Sequence, residues 1–280
     1  MDNEIVFKET LAPEVKLIKV RAPLIARKAE SGQFVILRVN EEGERIPLTL
    51  VDWDPDEGTI TLVFKEIGAT TRLLGTLEVG DVIHDLAGPL GNSAEIKNYG
   101  RVCLIGRGVA IAAVYERASK LKQAENHITS IISARTSKLL IFKEEVKAVS
   151  DKFYIATDDG SEGFKGYANE LLENLLKSGE QFDLVYVVGA ATLMRTVAEV
   201  TKKYGVTTIA NLNALMLDGT GLCGCCRVTV GGQAKFTCVD GPEFDAHLVD
   251  FKEFRARIHT YDEEEKLALK IFEERCRCKG

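Results

Sequence analysis

The feature that most constrains this sequence is a cysteine-rich stretch in its C-terminal third. Residues 217–240, LDGTGLCGCCRVTVGGQAKFTCVD, hold four of the seven cysteines of the chain. Glycines between them allow the backbone to turn tightly enough for several side chains to converge. Thiols this dense, in a chain that we expect to stay inside the cell, indicate a metal site rather than a disulfide framework. The four cysteines are Cys223, Cys225, Cys226 and Cys238.

Size and charge narrow the class of protein. A chain of 280 residues is long enough for two or three compact units, and its 45% hydrophobic and 28% charged residues are typical of a globular protein. A net charge of −6 gives no support for binding to nucleic acid or to an anionic membrane surface. The N-terminus, MDNEIVFKE, is charged and lacks a secretory signal, and no apolar run is long enough for a bilayer. We therefore expect a cytoplasmic protein.

The hydrophobic pattern divides the chain into four parts. Residues 1–98 contain β-rich runs such as VKLIKV, FVILRV and TITLVF between turns, which predict a small antiparallel barrel or sandwich. In residues 99–212 apolar strands alternate with helical runs, which predicts a doubly wound parallel sheet. Residues 213–250 form a small third unit around the cysteines. Residues 251–280 form a charged tail that we expect to be helical.

Two glycine-containing turns lie in the predicted parallel sheet. GRGVAIA, residues 106–112, joins a strand to a helix, where a diphosphate could approach backbone N–H groups. VVGAATLM, residues 187–194, brings a second glycine to the same carboxyl edge, where such folds bind nucleotides. Either turn alone could be purely structural, but together they favour a nucleotide.

The predicted β-rich part holds two further motifs. ERIPLTL, residues 44–50, places an arginine, a proline and a threonine within five positions, and an arginine can pair with a phosphate. KEIGATTRLL, residues 65–74, places a glycine and two threonines at the start of a helix, which suits an anion. Taken alone, each motif is also explained by an ordinary turn or a helix cap.

The cysteine spacing favours iron–sulfur chemistry over zinc. Structural zinc sites commonly use paired C-x₂-C motifs, and no histidine lies between Cys223 and Cys238. A C-x₂-C pair followed by one distant cysteine instead matches the plant-type 2Fe-2S pattern, C-x₄-C-x₂-C…C. In that pattern the first ligand stands five residues before Cys223, and this position is Asp218. Structural zinc and a loop without a metal remain the alternatives.

In this order the motifs resemble the dihydroorotate dehydrogenase electron-transfer subunits, within the wider ferredoxin reductase superfamily. The resemblance covers residues 1 to about 250. Members of the dihydroorotate type carry four cysteine ligands. The small subunits of electron-bifurcating NADH/ferredoxin:NADP transhydrogenases are similar to this chain in having aspartate at position 218. The resemblance implies an N-terminal β-barrel that holds FAD, a parallel-sheet domain for NAD(H), and a small C-terminal 2Fe-2S domain.

The resemblance also assigns residues. Residues 45–49 match an R-x-P-I/L-S/T flavin motif, and residues 68–71 match a flavin phosphate turn, although Thr70 stands where glycine is usual. GRGVAIA resembles the nicotinamide-nucleotide loop but carries Arg107 in place of a glycine. The implied FAD residues are Arg45, Pro47, Leu48, Thr49, Val63, Phe64, Lys65, Gly68, Thr70 and Thr71. The implied NAD(H) residues are Gly106, Gly108, Val109, Ala110, Arg135, Gly189 and Met194. The implied cluster ligands are Asp218, Cys223, Cys226 and Cys238.

The expected function is electron transfer between NAD(H), FAD and a 2Fe-2S cluster. Nicotinamides exchange hydrides and iron–sulfur centres exchange single electrons, so a flavin is needed between them, and no separate catalytic side chains are expected. The resemblance implies a larger flavin and iron–sulfur partner subunit that handles NADP(H) and ferredoxin. Two alternatives are an electron-transfer subunit of a dihydroorotate or sulfide dehydrogenase and, in a different class, a non-redox zinc-knuckle binding module.

The sequence leaves open the role of Asp218 and the roles of several cysteines. Asp218 could instead cap the turn before GTG, with Cys225 as the fourth ligand. Cys103 lies in a predicted buried strand and is expected in the core. Cys276 and Cys278 could bind metal or belong to a frayed end.

Overall fold

The first part of the chain folds into an antiparallel six-stranded sheet. A computed structural model describes residues 2–277 and the side chains of residues 2–275, so Cys278 and the side chain of Cys276 lie outside it. Strand order is β1-β2-β5-β4-β3-β6, and a bridge between Glu4 and Val82 links the first strand to the segment before the last. The elements are β1 (Ile5–Ala12), β2 (Val15–Arg21), α1 (Pro23–Ala26), β3 (Phe34–Arg38), β4 (Arg45–Asp54), β5 (Thr59–Lys65), α2 (Ala69–Thr76) and β6 (Asp85–Leu90). The antiparallel β fold expected for the N-terminal part of the chain is confirmed.

The second part is the parallel sheet that the alternating pattern predicts. The strands are β7 (Arg101–Arg107), β8 (His127–Ala134), β9 (Lys152–Thr157), β10 (Phe164–Lys165), β11 (Leu184–Val188), β12 (Thr207–Asn211) and β15 (Glu243–Asp245). Strand order is β10-β9-β8-β7-β11-β12-β15, with every pair parallel except the last. The helices are α3 (Ile111–Gln123), α4 (Lys143–Ala148), α5 (Ala168–Lys177) and α6 (Ala191–Tyr204). Chain order reverses between β7 and β11, so both glycine turns lie where such sheets bind ligands.

Strand β5 shows why barrel and sheet pack together. Six of its seven residues are buried, because both of its faces are covered. Ile60 and Leu62 point into the barrel core, whereas Val63 packs in the same cluster as Ile111 and Val114 of α3. A continuous apolar strand is typical of a sheet covered on both sides. The packing leaves the ends of β4 and β5 facing the glycine turns.

The cysteine segment is joined to the parallel sheet at one edge. It contains a hairpin of β13 (Arg227–Val230) and β14 (Gln233–Phe236) and a short helix, α7 (Thr237–Asp240). β15 then returns to pair antiparallel with β12, so that Asn211 lies opposite Glu243. The predicted boundary between residues 212 and 213 comes just after β12. Because β15, from the predicted third unit, pairs with β12, the two predicted units share one sheet.

Two helices fill the segment that we expected to be a charged tail. They are α8 (Phe251–Ile258) and α9 (Asp262–Arg277). Phe251 and Phe254 of α8 are buried in the same cluster as Cys226 and Cys238, so α8 belongs to the core. Over the described part of the chain, no helix has the length and apolar character needed to cross a bilayer.

A buried polar network joins the three parts. Arg117 of α3 forms an ion pair with Glu243 of β15, and both side chains are largely buried. The adjacent Glu116 accepts a hydrogen bond from Ser31 Oγ of the barrel at 3.0 Å, while its Oε1 has no partner among the described residues. Burial raises the pKa of Glu116 to about 7 against the lowering effects of Arg117 and Ser31. The protonated carboxyl suits this position because it needs less solvation.

The raised pKa of Glu116 predicts a pH-dependent stability. The folded pKa is about 7 and the ordinary value is 4.5, so the contribution is complete below about 4.5 and is lost as the pH rises through 7. Relative to Glu116→Gln, the wild-type free energy of unfolding should fall by about 3 kcal/mol between pH 5 and 8. Urea denaturation at a series of pH values measures the difference.

The exposed Glu125, just after the same helix, supplies the control. Glu125→Gln should leave the pH dependence of wild type unchanged. Parallel pH profiles for wild type and Glu116→Gln would contradict a neutral buried carboxyl.

Candidate functional site

A cavity of about 500 Å³ lies between the barrel and the parallel sheet. One wall comes from β4, β5 and the start of α2, and the other from the turns that follow β7 and β11. The predicted FAD residues that line it are Pro47, Leu48, Thr49, Val63, Phe64, Lys65 and Thr71. The predicted NAD(H) residues that line it are Val109, Ala110 and Gly189. Two residue sets chosen from separate motifs therefore meet in one space.

The start of α2 is organised around Thr71. Its Oγ1 accepts hydrogen bonds from the N–H groups of Ile67 and Gly68 at 3.1 and 3.0 Å, which satisfies two donors at the helix start. Thr70 points elsewhere, because its hydroxyl donates to Glu44 at 3.1 Å. Thr71 lines the cavity, whereas Gly68 and Thr70 lie beside it.

The glycine turn after β7 has two separate physical requirements. A Cβ on Gly106 would lie 2.5 Å from Val114 Cγ2, so glycine lets the strand pack closely against α3. Gly108 has φ +59°, a conformation that side chains disfavour. Glycine at position 106 therefore allows the close packing, and glycine at position 108 allows the turn. Val109 and Ala110 reach the cavity.

Arg107 is a cavity residue that the sequence analysis noted only as a replacement for glycine. Its guanidinium donates two hydrogen bonds to Asp158, at 2.9 and 2.7 Å, and lies over the Tyr167 ring. Asp158 follows β9, so the pair spans the carboxyl end of β8. Neither side chain is more than about a quarter exposed. This paired charge lies beside the route that a dinucleotide would take across the sheet edge.

Three predicted residues lie away from the cavity. Arg45 is exposed on β4 and lines a separate groove of about 440 Å³ together with Asp218. Arg135 follows β8 and is exposed. Met194 is 0% exposed in the core beneath the turn after β11. The structure therefore brings Arg45 to the cysteine segment and places Met194 behind the site.

The connection from the parallel sheet to the cysteine segment supplies a wall that the sequence analysis did not identify. Residues 211–216, NLNALM, all line the cavity. Asn211 Nδ2 donates to the Tyr186 hydroxyl at 3.1 Å, which fixes the start of this connection. The apolar residues that continue past β12 were the available signal, and Asp218 follows two positions after Met216.

The cysteine loop brings two of the predicted ligands into contact. Cys226 and Cys238 are buried with their Sγ atoms 3.3 Å apart, whereas Cys223 is exposed and Cys225 half-buried. Burial raises the pKa of Cys238 to about 12, with a further contribution from Cys226. A metal ion would have to displace this proton, because thiolates rather than thiols are the ligands.

The Asp218 carboxylate faces the same loop and already accepts two backbone hydrogen bonds. Its two carboxylate oxygens accept hydrogen bonds from the N–H groups of Thr220 and Cys223, at 2.9 and 2.7 Å. These bonds, led by that from Thr220, lower the pKa of Asp218, so the carboxylate is charged. The contacts are those of a turn cap, and an oxygen of the same charged group could also bind iron.

The donor set suits a soft metal centre with one hard ligand. Within the described residues no three His, Cys, Asp or Glu side chains converge into a finished metal site. The segment nevertheless holds four thiols and the Asp218 carboxylate within a short stretch, and sulfur ligands select iron–sulfur clusters or zinc. Gly219, Gly221 and Gly224 all have positive φ, which lets the loop fold back on itself.

Comparison with known proteins places these features in one family. The model of the iron–sulfur cluster binding domain of dihydroorotate dehydrogenase B matches residues 213–250. A dihydroorotate dehydrogenase B (NAD(+)) electron transfer subunit homolog from Thermotoga maritima is 44% identical over 270 residues, 96% of this chain and 95% of the relative. The electron transfer subunit of that enzyme from Geobacillus thermodenitrificans is 30% identical, covering 86% of this chain and 95% of the relative.

Among solved structures, one whole chain superposes closely. It comes from the structure of an NADH-dependent reduced ferredoxin-NADP oxidoreductase, described for its insights into flavin-based electron bifurcation. The TM-score is 0.92 at 43% identity, and the match covers 97% of this chain and 98% of the other. The likeness therefore extends over the barrel, the sheet and the cysteine segment together.

Gly219 provides a test of how the cysteine loop is seated. Its φ is +72°, and an added Cβ would lie 2.6 Å from Leu90 Cδ1 and 3.0 Å from Ile36 Cδ1 of the barrel. Gly219→Ala should lower the free energy of unfolding by about 1–2 kcal/mol for the backbone and about 1–3 kcal/mol more for the overlap. Urea denaturation of the purified protein measures the loss.

Gly232 offers the matched control, because it has φ +76° with nothing within 4 Å of an added Cβ. Gly232→Ala should cost only the backbone contribution. Equal losses in the two variants would show that the loop does not press against the barrel.

Proposed function

This chain belongs to the family of dihydroorotate dehydrogenase B electron-transfer subunits, and from that premise we propose that it passes electrons between NAD(H), FAD and a 2Fe-2S cluster as the small subunit of an electron-bifurcating NADH/ferredoxin:NADP transhydrogenase. It is a subunit of an oxidoreductase. The observation that carries the proposal is the single cavity lined by the flavin motif on one side and by both glycine turns on the other. A flavin and a nicotinamide have to meet face to face for hydride transfer, and this cavity is where the two sets meet.

On the barrel side, the residues provide a mostly apolar slot with a few polar groups. Leu48, Val63 and Phe64 form the apolar surface, and Thr49 and Lys65 add polar atoms at its edge. Ring systems bind best in apolar clefts with few well-placed polar groups. We assign FAD to this slot, with the start of α2 beside it for the diphosphate, whereas Arg45 lies outside the slot in the groove that it shares with Asp218.

On the sheet side, the two glycine turns would present mainly backbone groups to a nucleotide. The turn at Gly108–Ala110 and the turn at Gly189 lie at the point where strand order reverses. We assign the nicotinamide end of NAD(H) to Val109, Ala110 and Gly189. Arg135, beyond the Arg107–Asp158 pair, would hold the adenosine end.

The cysteine loop is assigned the cluster, with Asp218, Cys223, Cys226 and Cys238 as ligands. The loop packs against the barrel through Gly219, and Asp218 shares a groove with Arg45, so the cluster site adjoins the flavin slot. The slot would hold FAD, which would link hydride exchange with the nicotinamide to single-electron exchange with the cluster. The slot residues and the cysteine loop would fix the positions of these groups.

Family members act as electron-transfer subunits of larger oxidoreductases, and we propose a larger partner that carries flavin and iron–sulfur centres and handles NADP(H) and ferredoxin. A second candidate is a partner that oxidises dihydroorotate, because relatives with that name are similar over most of their length. Co-purification of the native complex distinguishes the two. NADP(H)- and ferredoxin-dependent activity in the complex supports the first candidate, and dihydroorotate oxidation supports the second.

Anaerobic titration with NADH tests the cofactor assignment. The purified protein should show flavin bands on a broad iron–sulfur absorption. NADH should bleach the flavin bands and produce the electron paramagnetic resonance signal of a reduced 2Fe-2S cluster. A colourless, zinc-containing protein would instead support a zinc-knuckle module.

Substitution of Asp218 tests the ligand set. Asp218→Cys should keep a 2Fe-2S cluster with a changed resonance signal and reduction potential, because thiolate binds iron more covalently than carboxylate. Cys225→Ser, the control, should leave the signal unchanged. An unaltered cluster in Asp218→Ala together with a lost cluster in Cys225→Ser would make Cys225 the ligand and Asp218 a turn cap.

A further inference from the structure

Helix α8 lies outside the segment that the iron–sulfur domain model matches, yet it is firmly attached to the cysteine unit. Asp250 caps its start by accepting hydrogen bonds from the N–H groups of Lys252 and Glu253 at 3.0 and 2.9 Å. Phe254 is 1% exposed in the core that also holds Cys226 and Cys238. The position of α8 relative to the cysteines is therefore set by packing.

Two side chains one turn apart on α8 reach the cysteine unit. Glu253 Oε2 accepts a hydrogen bond from the N–H of Thr229 in β13 at 3.1 Å. Arg257 donates from Nη2 to the carbonyl oxygens of Gly224 and Cys225, at 3.1 and 3.3 Å. Residues four apart share a helix face, so one face of α8 holds both the hairpin and the cysteine loop.

The charge of Arg257 has no counterpart among the described residues. Arg107 and Arg117 are each paired with a carboxylate, but Arg257 forms no such ion pair with any described residue, and its Nε is buried without a hydrogen-bond partner. An unpaired charge is costly in a partly buried position unless a negative group faces it. Three thiolates and one carboxylate holding iron would supply a negative centre at this loop.

We propose that Arg257 is a positioning residue for the cluster: it fixes the loop that carries Cys223 and Cys226, and its charge raises the cluster's reduction potential. This inference rests on the proposed 2Fe-2S site. Reduction adds one electron to the centre, and a nearby cation stabilises the more negative state more than the less negative one. The backbone carbonyls of Gly224 and Cys225 face the guanidinium and are kept from turning towards the sulfur atoms.

Redox titration of the intact holoprotein tests this role. Arg257→Met removes the charge and the donors at similar length, and Arg257→Lys keeps the charge. Arg255→Met removes a charge from the same helix at an exposed residue that forms no hydrogen bond or ion pair with the loop among the described residues, and it serves as the control. Iron and FAD contents are measured for each variant, and the cluster potential is followed by its electron paramagnetic resonance signal.

We expect Arg257→Met to lower the potential by about 59 mV, which is tenfold in a one-electron equilibrium. Arg257→Lys should stay close to wild type and Arg255→Met should match it. A loaded Arg257→Met cluster at the wild-type potential overturns the proposal. If Arg257→Met binds no iron, a loaded Arg257→Lys near the wild-type potential supports it, and loss of iron from both overturns the role of the charge.

Failure of the proposed function gives a different result. In that case wild type itself contains no iron–sulfur cluster and shows no resonance signal on reduction. A normal wild-type cluster with potentials that do not respond to Arg257 overturns only the present inference.

Discussion

The contacts of the buried Arg117 guanidinium hold the barrel, the parallel sheet and the cysteine unit together. It starts from the helix that follows the first glycine turn, pairs with Glu243 at the return from the cysteine unit, and lies over the Tyr186 ring. An added Cβ on Gly32 of the barrel would come within 2.9 Å of its Nη2, so the barrel loop closes directly onto it. The barrel, the parallel sheet and the return from the cysteine unit thus meet at one charged group.

Local patterns in the sequence predicted the fold well where a residue's neighbours along the chain determine its structure. The helical pattern between Ala191 and Tyr204 folds as a helix over that whole run, because its apolar stripe is long and Gly205 ends it in a left-handed conformation. The three-residue β15 could not be predicted, because EFD carries no strand pattern and forms a strand only through pairing with β12. The burial of Phe254 was missed for a similar reason, since a charged helix conceals a few buried positions.

The sequence predicted which motif residues line the cavity where strand ends and turns determine their direction. Thr49, Lys65 and Gly189 line the cavity because strand ends and turns project in directions that the fold fixes. The partner of Arg107 was not predictable, since Asp158 lies 51 positions away. The role of Asp218 stays a prediction: its carboxylate caps a turn, and a metal would compete for the same oxygens.

The pairing of Asn211 with Glu243 has a consequence for how the cysteine loop is held. The chain leaves the parallel sheet after one of these residues and returns with the other, and Leu212 N–H donates to Pro242 O at 2.9 Å between them. The residues where the chain leaves and rejoins the sheet are therefore hydrogen-bonded to each other. The segment from Asn213 to Gly241 is an insertion whose two ends are joined at the sheet. The insertion holds the proposed cluster ligands, from Asp218 to Cys238, and part of the cavity wall, Asn213 to Met216, at its start. Its two ends are fixed by the sheet, so the cavity wall and the cysteine loop are held at one hydrogen-bonded junction.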